Sequence, residues 1–223
     1  MNTELELNQV CPTGMLEYER ELWSSGCHLV AGLDEVGRGC LAGPVVVAAV
    51  MLPPNVELNE VNDSKQLSAK KRERLAEDIK AVALDWSITA VSAALIDEIN
   101  ILAATSLAMG LAVKWLYPMP EHLLIDALSL PDLAIPQQAI IKGDQCSVSI
   151  AAASILAKVE RDAMMGRWSK FYPGYGFERH FGYGTAEHRR AIDQHGPCYL
   201  HRMSFAPLRA KAEAAANLQP DLF

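Results

Sequence analysis

The sequence lacks any unbroken apolar run of the roughly 20 residues that cross a bilayer. Its longest, Val45–Leu52, ends at Pro53-Pro54. The first ten residues, MNTELELNQV, are acidic and carry no apolar core of secretion-signal type, so a cytoplasmic protein without a membrane segment is expected. Cysteine is scarce. The five thiols (Cys11, Cys27, Cys40, Cys146, Cys198) are odd in number, scattered, and free of any C-x-x-C pair. That spacing predicts reduced thiols and speaks against a cysteine-bound zinc. No internal repeat and no low-complexity linker is present. Net positive charge is lacking too: the formal charge is −7, at first an argument against a nucleic-acid partner. The charge is uneven, however. Arg161–Arg209 holds eight Lys/Arg against four Asp/Glu and four of the six histidines, whereas the first 60 residues hold nine acids and two bases. A local basic face on an acidic body can bind phosphates, although unevenness of this size decides nothing alone.

The 223 residues, half of them hydrophobic, suit one globular domain with at most a small appendage. The only candidate appendage is the closing stretch AKAEAAANLQPDLF, so a domain over 1–209 and a tail over 210–223 are expected. Thr13–Ser25 reads as a helix capped by Thr13 and ended by Gly26. His28–Val36 and Pro44–Leu52 read as two strands joined by a short glycine-rich link. Ser68 caps a charged helix to Val82, Trp86–Ala93 is a strand, and Asn100 caps an apolar helix to Leu116. His122–Ala127 and Gln138–Lys142 follow as strands, and Val148–Trp168 as a long helix. Phe171–Gly184 is rich in glycine and aromatics, and Thr185–Gln194 and Ser204–Asn217 close the chain as helices. Strands mixed with long helices predict an α/β or α+β layer fold around one sheet.

Four acids fall at strand edges in this reading: Asp34, Glu35, Asp126 and Asp144. Neighbours on a regular strand point to opposite faces, so Asp34 and Glu35 cannot aim at one point unless the strand ends there. Carboxylates converging from separate strands repel unless cations sit between them, and all-oxygen ligands suit Mg²⁺ or Mn²⁺. Each acid alone is as well explained by a turn or a helix cap. The glycines at 37, 39 and 43 nearly match a dinucleotide fingerprint, but the strand-like PVVVAAV follows where a helix is required. Glycines there let the backbone approach a sugar or phosphate, with Arg38 as a charged donor. A zinc site built on His180, His188, His195 and His201 is disfavoured, because their spacings of eight, seven and six residues match no helical ligand pair. They are expected on the basic surface.

The ordered segments GLDEVGRG, DSKQLS, LLIDA, KGDQCSVSIAAASILAKVERD and YPGYGFERHFGYGT resemble those of the type 2 ribonucleases H, the bacterial ribonuclease HII family, over about Leu29–Leu208. The resemblance implies a ribonuclease H-like α/β fold, a central mixed sheet flanked by helices with a C-terminal helical extension. It implies hydrolysis of RNA paired with DNA, dependent on Mn²⁺ or Mg²⁺. Asp34, Glu35, Asp126 and Asp144 match the four catalytic, metal-holding acids. Gly37, Arg38 and Gly39 match the loop whose backbone reads a ribose 2′-hydroxyl. Tyr175 is the first choice for the tyrosine packing on the sugar past the RNA-to-DNA junction, and Tyr183 the second. Ser64 and Lys65 look like phosphate contacts. Lys158 and Arg161, three residues apart on one helix, are assigned to the phosphate-facing side, with ion pairs to Glu160 or Asp162 as an equal alternative.

The expected partners are RNA–DNA hybrids and duplex DNA containing ribonucleotides, cut 5′ of the ribonucleotide by a monomer. The terminal QPDLF resembles short peptides that bind the sliding clamp, with Gln219, Leu222 and Phe223 as contacts. A non-catalytic nucleic-acid binding module and another nuclease of the same fold are the alternatives.

Overall fold

A computed structural model describes residues 14–54, 56, 58, 61 and 68–210. In chain order the elements are α1 (Glu17–Ser24), β1 (Val30–Val36), β2 (Val45–Met51), α2 (Ala69–Val82), β3 (Asp85–Val91), α3 (Ala93–Ile99) and α4 (Ile101–Lys114). They continue with β4 (His122–Asp126), β5 (Gln137–Ile140), α5 (Gly143–Cys146), α6 (Val148–Ser169), α7 (Phe177–His180) and α8 (Ala186–His195). The five strands form one mixed sheet in the order β3-β2-β1-β4-β5. β2 is buried along its whole length, as its run of valine and alanine requires of a strand covered on both faces.

β1 pairs in parallel with β4, Leu33 opposite Ile125, and β4 pairs in parallel with β5, Asp126 opposite Ile140. The helix α6 then packs on β1 at main-chain contact. A Cβ on Gly32 would lie 2.1 Å from the carbonyl carbon of Ser149. Only glycine permits that approach. The start of α6 is held by a buried acid: Glu19 of α1 accepts hydrogen bonds from the Ser147 hydroxyl (2.5 Å) and the Ser149 amide (3.0 Å).

The chain divides into two compact units, interleaved in sequence. The first comprises the chain to Glu35, Val47–Thr89 and Met109–Val159; the second comprises Val36–Val46, Ala90–Ala108 and the chain from Glu160 onward. In the first, Trp23, Val30, Leu124, Ile140, Cys146 and Ile150 share one core cluster. In the second, Ala42, Met165, Tyr175, Phe177, Ala191 and Leu200 share another.

The caps at Ser68, Asn100 and Thr185 are present, each side chain accepting from an amide two or three residues on. Thr13 lies outside the described residues, and the residue preceding α1 is Leu16, without a side-chain cap. Three short helices were not expected: α3, opened by Ser92 accepting from the Leu95 amide, and the four-residue α5 and α7. Of the last expected helix, the described part begins at Leu208. Cys27, Cys40 and Cys198 are free, but Cys146 is disulfide-bonded, which corrects the fully reduced reading. Among the described residues no single helix is long and apolar enough to cross a membrane.

Candidate active site

All four acids belong to the first unit. Asp34 and Asp126 each stand one residue beyond the register pair Leu33–Ile125 on adjacent parallel strands. They therefore sit side by side at the strand ends, and on the same face. Asp34 is almost fully buried. Its Oδ1 accepts from the Glu35 amide at 2.7 Å, and its carboxylate also hydrogen-bonds Ser154 of α6. Burial first, then the charges of Asp126 and Glu35, hold its carboxyl well above the ordinary aspartate range. The Ser154 bond opposes that rise.

Asp126 accepts from the Gly143 amide at 2.7 Å through Oδ1. A Cβ at Gly143 would be 3.4 Å from that same oxygen and 2.6 Å from Ile150 Cδ1. The glycine lets the amide reach the carboxylate. The next residue, Asp144, is buried in α5. Thus one hydrogen bond ties the end of β4 to the turn that carries the fourth acid.

Glu35 follows Asp34 on β1, which runs on to Val36; it is half-buried, and its charge reaches the Asp34 carboxyl. Among the described residues no three His, Cys, Asp or Glu side chains are drawn in closely enough to hold a metal ion. The acids share one end of the sheet without closing on a common point. The donor set nevertheless fits a hard divalent cation. It is all carboxylate, and it contains Asp34, whose charged form is disfavoured first by burial and then by Asp126 and Glu35.

Of the remaining candidates, those among the described residues lie in the second unit, except Lys158, which is half-buried on α6 in the first. Gly37 is buried with φ +91°, whereas Arg38 and Gly39 are exposed, and a Cβ at Gly39 would meet nothing within 4 Å. The two tyrosines exchange places. Tyr175 is buried, its ring stacked on Phe177 (centroids 5.4 Å apart) and its hydroxyl donating to the Gly196 carbonyl at 2.8 Å. Ring and hydroxyl are both engaged inside the core, so Tyr175 does not present itself to a sugar. Tyr183 is 40% exposed.

Arg161 is likewise corrected. It is fully buried, and its three nitrogens donate to the carbonyls of Pro44, Phe181 and Ala42 at 2.8–3.0 Å. It faces neither a phosphate nor the acids proposed as its alternatives, and Glu160 pairs instead with Arg167. Ser64, Lys65, Gln219, Leu222 and Phe223 lie outside the described residues.

The histidines are not a basic surface either. Of the four considered for zinc, His180, His188 and His201 are buried and His195 is exposed. His201 Nδ1 accepts from the Cys198 amide, which leaves its Nε2 proton to face His188 Nε2 at 3.1 Å. His188 Nδ1 then donates to the Tyr183 carbonyl at 2.9 Å. Burial lowers the pKa of His188 to about 4, so it is neutral at physiological pH. Sequence reasoning missed two contributors, Ser154 at Asp34 and Arg202 beneath the glycine link. No local motif marks either one.

A family model described as Ribonuclease HII matches residues 31–208. The ribonuclease HII of Syntrophomonas wolfei is 53% identical over 207 residues, 92% of this chain and 81% of that protein. That of Halalkalibacterium halodurans is 54% identical over 205 residues, 92% and 76% of the two chains. The crystal structure of ribonuclease H2 from Pyrococcus horikoshii OT3 superposes with a TM-score of 0.71 at 26% identity, over 83% of this chain and 97% of that one. The structure of the PCNA:RNase HII complex from Archaeoglobus fulgidus gives a TM-score of 0.67 at 28% identity, over 79% and 95%. The acids at the sheet's end, the fold and these likenesses agree: the chain belongs to the ribonuclease HII family, the divalent-metal-dependent endoribonucleases that act on RNA–DNA hybrids.

Proposed function

We propose that this chain hydrolyses the phosphodiester on the 5′ side of a ribonucleotide, in hybrids and in duplex DNA holding a single ribonucleotide, acting as a monomer. The observation that carries this reading is the placement of Asp34 and Asp126 side by side at the ends of parallel β1 and β4, one of them buried against its preference for water. Asp34, Asp126, Asp144 and Glu35 would hold Mn²⁺ or Mg²⁺. When bound, two such ions supply positive charge to the attacking water and to the leaving oxygen. The water oxygen bonds to phosphorus as the P–O3′ bond to the preceding nucleotide breaks, leaving a 3′-hydroxyl and a 5′-phosphate.

The protein's own groups orient this chemistry. Ser154 and the Glu35 amide fix the Asp34 carboxylate, and the Gly143 amide fixes that of Asp126. Gly37–Gly39, which follow Glu35 by two residues in the chain, would read the 2′-hydroxyl through main-chain atoms. The exposed ring of Tyr183, rather than Tyr175, would pack on the sugar beyond the junction. Lys158, with Ser64 and Lys65, would meet phosphates.

The test compares three duplexes, with one ribonucleotide, with an RNA strand, and with DNA alone, in Mg²⁺ and in EDTA. Cleavage of the first two in Mg²⁺ only is expected. In the same assay Tyr183→Ala should lose at least about tenfold at the single ribonucleotide, the scale of one lost base or sugar stack. Cutting of the all-DNA duplex at a comparable rate, or cutting in EDTA, would overturn the reading.

We assign residues 1–209 to catalysis and 210–223 to recruitment. The closing QPDLF would insert Leu222 and Phe223 into an apolar pocket of a sliding clamp, with Gln219 setting register. The relative solved with PCNA supports this. Full-length protein should co-purify with the clamp, and a variant ending at Leu218 should not. Equal capture of both ends the idea.

A further inference from the structure

The segment from Gly37 to Pro44 is held mainly by groups that come from far along the chain. Arg161 donates through Nε to the Pro44 carbonyl and through Nη2 to that of Ala42, both at 3.0 Å. Arg202 donates through Nη1 to the Arg38 carbonyl at 2.8 Å, and through Nε and Nη2 to that of Gly43 at 3.0 and 2.9 Å. Both side chains are fully buried. Gly37 lies directly on the first of them, for a Cβ there would be 2.1 Å from Arg161 Nε. On the outward side the segment is open at Arg38 and Gly39. Its buried side is thus clamped, while Arg38 and Gly39 face outward.

Arg161 also reaches a second element. Its Nη1 donates to the Phe181 carbonyl at 2.8 Å, and its guanidinium carbon stands 5.9 Å from the centre of the Tyr183 ring. The amides of Leu41 and Ala42 bond the Gly182 carbonyl, at 2.9 and 3.3 Å. One guanidinium therefore ties the glycine link to the turn that bears Tyr183.

We propose that Arg161 and Arg202 are positioning residues for substrate selection: buried guanidinium forks that hold the Gly37–Gly39 main chain, and Tyr183 beside it, in the one shape that recognises a ribonucleotide followed by a deoxyribonucleotide. This rests on the reading of Gly37–Gly39 given above. Stability alone does not call for two buried cations. Burying each is costly, and apolar replacements of similar volume often serve stability as well or better. Burial lowers the Arg202 pKa to about 10, with Arg161 adding to the fall, yet it remains charged at neutral pH. What a guanidinium gives, and an apolar group or a lysine does not, is a planar fork that meets several carbonyls at fixed angles. Main-chain recognition of one hydroxyl tolerates errors of only about 0.5 Å.

The test measures binding, without turnover, in an Asp34→Asn background with Mg²⁺ present. Affinities are compared for a duplex with one ribonucleotide and for the same duplex in DNA alone. Arg161→Lys and Arg202→Lys should each reduce the preference for the ribonucleotide about tenfold or more, the equivalent of one good hydrogen bond. Affinity for the all-DNA duplex should stay within about twofold. A preference unchanged in either folded variant, or both affinities falling together, overturns the proposal. If the Asp34→Asn protein with both arginines intact shows no preference, the reading of Gly37–Gly39 has failed, and that is told apart from failure of the arginines alone. Should the lysine variants not fold, amide exchange of the unaltered protein decides. Leu41, Ala42 and Gly43 should exchange as slowly as β2, and exchange at the rate of an exposed loop refutes the clamp.

Discussion

Asp34→Asn should lower cleavage of a single-ribonucleotide duplex by about a thousandfold or more, the scale of losing a charge-stabilising group in a water-poor site, while raising the melting temperature of the metal-free protein. The two effects share one cause. Asp34 is buried, and its charged form is opposed by burial and by Asp126 and Glu35. Asparagine keeps an oxygen for the Glu35 amide and for Ser154 but removes the charge. The pH dependence follows. Below about pH 4 the carboxyl is protonated in both folded and unfolded chains and contributes nothing. As pH rises the unfolded chain releases its proton first, because the folded pKa is the higher. The folded state therefore loses this stability progressively as pH rises from the unfolded pKa towards the higher folded one. The difference in melting temperature between Asp34→Asn and the unaltered protein should grow from pH 4 to pH 7 without divalent ions. Mg²⁺ should stabilise the unaltered protein more than the variant, since a ligand that binds only the folded state shifts its stability. A fully active variant, or one less stable than its parent at pH 7 without metal, would remove Asp34 from the centre of the site.

The legible parts of the molecule were those decided within a few residues of chain. β2 reads as a buried strand because seven consecutive apolar residues, most of them valine or alanine, leave it no polar face. Asn100 and Thr185 announce helix starts because their side chains bond amides two or three residues on. Asp34 and Asp126 could be placed at strand ends, and parallel register then sets them abreast. Ser92 carried the same capping signal for α3 as the other caps did, but the preceding strand pattern ran over it. What could not be read was decided at long range. Tyr175 and Tyr183 both stand between glycines; their fates differ because Phe177 and the Gly196 carbonyl enclose the first. Arg161 does share a helix face with Lys158, but that its own position is buried depends on carbonyls more than a hundred residues earlier. The histidines look like surface charge in the sequence, yet His180, His188 and His201 are hydrogen-bonded core groups, held by one another and by main-chain carbonyls that no local pattern reveals.

Gly32→Ala should be the most damaging single methyl in the first unit. The added Cβ would stand 2.1 Å from the Ser149 carbonyl carbon and 2.4 Å from both the Ser149 oxygen and the Ile150 nitrogen. These are main-chain atoms of a 22-residue helix, so no side chain can swing aside. Strand and helix must separate, or the helix must slide. The helix is anchored against either movement, since Glu19 binds its first turn and Ile150, Ala151, Ala152 and Ala153 are wholly buried along it. Overpacking of this kind costs about 1–3 kcal/mol where side chains can yield, and more where they cannot. At about 2–4 °C per kcal/mol for a chain of this size, a fall of about 10 °C or more in melting temperature is expected. Activity should fall further than stability does. Gly32 and Asp34 share a face of β1, and the helix that Gly32 admits also carries Ser154, the partner of the Asp34 carboxylate. Cleavage measured well below the variant's melting temperature therefore separates the two effects, and should still be reduced at least about tenfold, as expected when a reacting group is misplaced by a fraction of an ångström. A variant that melts within about 3 °C of its parent and cleaves at the parental rate would show that strand and helix do not meet at Gly32, and with that contact would go the account of how Asp34 is held.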